Sequence, residues 1–136
     1  MRTVKEDTAC KMPIKLNYNS SQKFLVLRIE GQLSIDDVES TTFKIFESKE
    51  FPPDVNTLWD VRQLSFEDVD IAFLKRLIET RKKYTGQRGS PKIAILSNNA
   101  LAAPIIKLYV ILSKGSKEKT SVFKTFEEAE LWLCQD

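Results

Sequence analysis

The sequence predicts an α/β domain, in which a mixed, mostly parallel sheet opens with an antiparallel hairpin and is covered by about four helices. Two patterns predict it. Beyond residue 31, short aliphatic runs alternate with longer segments whose apolar residues recur at helical spacing, which implies right-handed crossovers between parallel strands. Ahead of that, two apolar segments flank Asn19-Ser20-Ser21-Gln22, a turn short enough for a hairpin. The 136 residues, 42% hydrophobic and 29% charged, supply one domain with a real core rather than a disordered chain.

Residues 1–13 are polar and irregular and read as a flexible arm ahead of a single domain at 14–136. Residues 14–18 and 24–30 are the hairpin strands, the second ended by Gly31. Ser34, with Asp37 three residues on, has the spacing of a helix N-cap, and Ile35, Val38, Thr42, Ile45 and Phe46 mark the inner face of that first helix. Phe51-Pro52-Pro53 stops it. Residues 56–60 form a short strand, and a polar turn from Asp60 to Ser65 follows. Ser65, again with an aspartate (Asp68) three residues later, is expected to cap a second helix from Glu67 to Lys83. Residues 92–97 form a strand with a continuous apolar run from Ile93 to Leu96, as in a strand covered on both faces. Asn98 or Asn99 is expected to cap a third helix that runs to about Ser113, with Pro104 in its first turn. Residues 120–123 and 126–134 supply the last strand and the closing helix.

Composition excludes more than it assigns. There is no histidine, so Ser-His-Asp and Cys-His catalysis are ruled out and a zinc site is disfavoured. Cys10 and Cys134 sit near opposite ends, with no CxxC pair and no disulfide framework beyond a conceivable Cys10–Cys134 bridge; this usage fits a reducing, cytoplasmic setting. Four glycines make no GxGxxG or Walker-type loop, so no nucleotide cofactor is implied. A net charge of +2 does not mark a nucleic-acid binder, and no run approaches the ~18 apolar residues of a membrane span. Asp60, Glu67, Lys92 and Tyr109 are chemically capable side chains, but no spacing sets them apart as catalytic, and no metal set emerges.

Four segments, FLVLRIEGQLSIDDVE, LWDVRQLSFEDVD, KIAILSNNALAAPIIKLY and VFKTFEEAELWL, together resemble the STAS domain, the fold of bacterial anti-sigma-factor antagonists. The closer likeness is to the SpoIIAA-like subgroup, related to the lipid-carrying CRAL-TRIO domains. The resemblance spans residues 14–134 and implies a non-enzymatic regulatory or protein-interaction domain. It also implies a serine at the start of the second helix, where phosphorylation controls partner binding. With Asp60 aligned to the family's strand-ending aspartate, Val69 stands at the serine position, so no phosphorylation site is carried over.

Charge gives the remaining candidates. Acids open the first, second and last helices and bases close the second and third, as helix dipoles favour, and the segment 75–92 holds seven bases and one acid. The third helix opens without an acid, and Arg62 belongs to the same sheet edge. Arg62, Asn98 and Asn99 are therefore candidate ligands for a small anionic or polar molecule, unless Arg62 pairs with Asp60 or a helix acid and the asparagines simply cap. The third helix is also apolar nearly all round. On an ideal wheel Leu101, Ile105, Leu108, Tyr109 and Leu112 cover the sheet while Ile106 and Val110 point away. That second face would be covered within the monomer, by a second copy or partner protein, or by a lipid ligand. A partner protein or self-association is the leading reading, and a small-molecule or lipid carrier the alternative.

Overall fold

The computed structural model describes residues 13–52, 54–85 and 89–135; the N-terminal arm, apart from Pro13, lies outside them. The elements are β1 (Ile14–Asn19), β2 (Phe24–Gly31), α1 (Ile35–Glu47), β3 (Asn56–Leu64), α2 (Ile71–Thr85), β4 (Lys92–Leu96), α3 (Ala103–Leu112), β5 (Lys119–Phe123) and α4 (Phe126–Leu133). The sheet order is β1-β2-β3-β4-β5, with β1 antiparallel to β2 and every later pair parallel. The fold is thus the mixed α/β arrangement that the strand-helix alternation implies.

The two faces of the sheet are covered unequally. Leu27, Ile29, Val61, Ile93 and Ile95 join α1, α2 and α3 in the larger core. Phe24, Leu58, Ala94 and Leu96 pack with Ala129 and Leu133 of α4 in the smaller one. Every residue of β4 from Ile93 to Leu96 is buried, which explains its unbroken apolar run. Helix α4 is pinned at its C-terminal end, where free carbonyls need donors. Lys92 Nζ donates to the carbonyls of Trp132 (2.9 Å) and Gln135 (2.6 Å), and Asn56 Nδ2 donates to that of Leu133 (3.1 Å).

Ser34 caps α1 as its spacing predicts, its hydroxyl accepting the Asp37 N–H at 3.1 Å. The second capping expectation is corrected. Strand β3 does not stop at Asp60 but stays paired with β2 as far as Gly31–Leu64, and the register shifts between Arg28 and Glu30. The shift places both Val61 and Leu64 on the larger core although they are three residues apart. The chain turns only after Leu64, so α2 begins at Ile71. Asp70, not Ser65, accepts the Phe73 N–H, at 2.9 Å.

The third helix needs two corrections. Asn98 and Asn99 do not cap it. Asn99 Oδ1 accepts the Leu101 N–H in a local turn, and the helix starts four residues later behind Ala102, which makes no side-chain cap. Its phase also differs. Ile106 and Tyr109 are buried, Val110 is half-buried against the larger core, and Leu101, outside the helix, is 92% exposed. Ile106 is therefore a core residue and not a partner surface. A nearly all-apolar helix carries no polar face to fix its rotation, and the polar contacts of Tyr109 set it instead.

Candidate functional site

The corner that follows β3 opens onto a cavity. Between the sheet and α1, α2 and α3 lies a partly open space of about 100 Å³ with an almost wholly apolar lining. Half-buried Leu33, Leu64, Phe66, Val69, Phe73 and Ile105 line it near the strand C-terminal edge. Val69, the residue aligned with the family serine, is thus part of an apolar wall. Gln32 donates a side-chain hydrogen bond to the Asp68 carboxylate and ties the exit of β2 to this corner. The Ser65 hydroxyl is exposed and only accepts the Glu67 N–H, at 3.5 Å.

The deep lining is not all hydrocarbon. Thr57, Trp59, Arg81 and Tyr109 also border the cavity. Arg81, in sequence one of a run of bases, is buried. Its guanidinium grips Glu118 in a two-pronged ion pair, Nη1 to Oε1 and Nη2 to Oε2 at 2.7 Å each, and Nη1 also donates to Tyr109 Oη at 3.2 Å. The Arg81 Cζ lies 4.7 Å from the centre of the Trp59 ring. Burial disfavours the Arg81 charge, but Tyr109 and Glu118 more than offset this and hold its pKa above the ordinary value. Burial raises the pKa of the Tyr109 hydroxyl. Sequence reasoning missed this cluster because its members are far apart in the chain and none carries a local signal.

The predicted ligand residues come out differently. Arg62 forks onto Asp60, with Nε to Oδ1 at 2.9 Å and Nη2 to Oδ2 at 2.8 Å, and Arg28 Nε approaches the same carboxylate at 3.6 Å. Burial pushes the Asp60 carboxyl up, but the hydrogen bonds from Arg62 and the charges of Arg62 and Arg28 outweigh it, so its pKa is held below the usual value. Asn98 and Asn99 are exposed on the loop after β4, and among the described residues no hydrogen bond joins either to Arg62. Lys92 and Tyr109, two chemically capable side chains, are committed to the α4 terminus and to Arg81. Among the described residues no group of His, Cys, Asp or Glu could hold a metal ion, and no helix is long and apolar enough to cross a membrane.

No protein-family model matches the chain, and no curated protein matches it. Among solved structures it is similar to an uncharacterised protein of the DUF3478 family with a SpoIIAA-like fold from Shewanella loihica PV-4. The identity is 16% and the TM-score 0.61, over 89% of this chain and 92% of that one. The likeness extends over nearly the whole domain and establishes the SpoIIAA-like fold.

Proposed function

We propose that this SpoIIAA-like fold serves as a non-enzymatic binding domain that holds a small apolar molecule between its sheet and helices α1 to α3. One observation carries the reading: the corner where STAS antagonists place a phosphorylated serine is here Phe66 and Val69, both lining an apolar cavity. Neither Phe66 nor Val69 has a hydroxyl to modify. The cavity, at about 100 Å³, is smaller than the ~150 Å³ engineered space that takes up benzene, so as it stands it holds nothing larger than a single ring or a short branched chain. A longer acyl chain requires the mouth to widen.

The test uses the full chain. A retained apolar molecule in the native mass spectrum, or saturable uptake of benzene read by NMR, is the expected result. Val69→Asp weakens that binding while the circular dichroism is kept. A protein that carries nothing and ignores benzene ends the proposal. A second reading, association with a protein partner or a second copy, is favoured by the exposure of Leu101 (92%), in the turn before α3, and of Ile111 (50%), on α3. Sedimentation of the wild type against Leu101→Lys tests it, and a wild type that stays monomeric and pulls down no partner removes it.

A further inference from the structure

A second concave site lies at the opposite edge of the sheet. The C-terminal part of α2 and the segment from Leu112 to Glu118 enclose a cleft of about 450 Å³. That is within the roughly 300–1,000 Å³ typical of small-molecule sites. Its floor is Ile78, Tyr109 and Leu112, and its rim carries exposed Lys82, Lys114 and Lys117. Arg81 and Glu118 also border it, but they neutralise each other in their buried ion pair. The three rim lysines form no ion pair among the described residues, in contrast to Lys83, which holds Glu39 at 2.9 Å.

Helix electrostatics do not account for that excess. The C-termini of α2 and α3 point to this edge, and each contributes roughly half a negative charge, about one in all against three ammonium groups. Nor are the lysines needed to satisfy the last carbonyls of α3. Local groups already serve three of them: the Ser113 N–H donates to Tyr109, the Ser113 hydroxyl to Val110 and the Lys114 N–H to Ile111. Gly115 makes this turn possible with a φ of 99°, a conformation other residues rarely adopt, and the fold-back presents Lys114 and Lys117 on one rim.

We propose that this cleft binds a soluble phosphate monoester or pyrophosphate group borne on a compact apolar body. The lysines take the charge, and Ile78, Tyr109 and Leu112 take the body. A phosphate monoester carries about −1.5 to −2 at neutral pH and matches a rim with three free positive charges better than a carboxylate does.

The experiment is calorimetric titration of the full chain with phenyl phosphate and with inorganic pyrophosphate at low ionic strength. Saturable one-site binding is expected, weakened about tenfold by the double substitution Lys114→Gln with Lys117→Gln. Lys124→Gln, an exposed lysine at the other edge, leaves it unchanged. Neutral phenol binds far less than phenyl phosphate. The proposal is overturned if neither phosphate compound binds at millimolar concentration, if Lys124→Gln weakens binding as much as the cleft variant, or if only phosphatidic acid vesicles bind. Thermal unfolding of each variant without ligand separates loss of binding from loss of fold.

Discussion

Arg81 is a buried guanidinium whose charge is matched by the carboxylate of Glu118, 2.7 Å away. Both side chains are under a tenth exposed, so removing the carboxylate charge leaves a guanidinium with little water to replace it. Glu118→Gln is therefore expected to cost about 3–5 kcal/mol, read as a lower urea midpoint at unchanged slope. Replacing both partners, Arg81→Met with Glu118→Leu, is expected to cost much less, because no buried charge is then stranded. The second residue-scale expectation concerns pH. The Asp60 pKa is depressed in the folded state, so its contribution is complete above the unfolded value of about 3.9 and is lost as pH falls through the lower folded value. Asp60→Asn should cost about 1–2 kcal/mol at neutral pH, with Arg62 and Arg28 left partly solvated. The gap between variant and wild type should close on acidification toward pH 2, and a gap that is constant with pH would show that the carboxylate charge is not what matters.

At the scale of elements, the same spacing of serine and aspartate occurs twice and means different things. Ser34 sits where β2 has ended and the chain is free to turn, so its hydroxyl reaches the Asp37 N–H. Ser65 follows immediately on a strand still hydrogen-bonded to β2, so the helix cannot start there. Asp70→Ala is expected to cost about 1 kcal/mol and Ser65→Ala less than about half of that, measured by chemical unfolding. Equal costs would put the helix start back at Glu67. What was legible, then, was local: the hairpin turn, the first cap, the buried run of β4 and the order of elements. What was not legible depended on pairing between distant segments. The length of β3 is set by β2, and the rotation of α3 is set by the bond from Arg81 to Tyr109, neither of which leaves a mark in its own stretch of sequence. The same holds for the candidate sites. Arg62 was readable as a charged residue at the strand C-terminal edge, but the cavity is assembled from seven elements and their loops, and no one of them announces it.

For the whole molecule, the unequal covering of the sheet leads to an opposed pair of effects. Three helices lie on one face and leave unfilled space behind Phe66 and Val69, whereas α4 alone covers the other face. Close packing is the rule in protein interiors, so unfilled space of this kind costs stability and persists where function requires it. Val69→Phe places additional apolar volume at the mouth. It is expected to raise stability by about 1 kcal/mol, a gain of roughly 3–4 °C in melting temperature, and to reduce uptake of benzene. The two changes must occur together if the cavity is the binding site. Higher stability with unaltered uptake would mean that the ligand binds elsewhere. Lower stability would mean that the corner cannot accept the ring, and Val69→Leu, which adds a single methylene, then decides the question by the same pair of measurements.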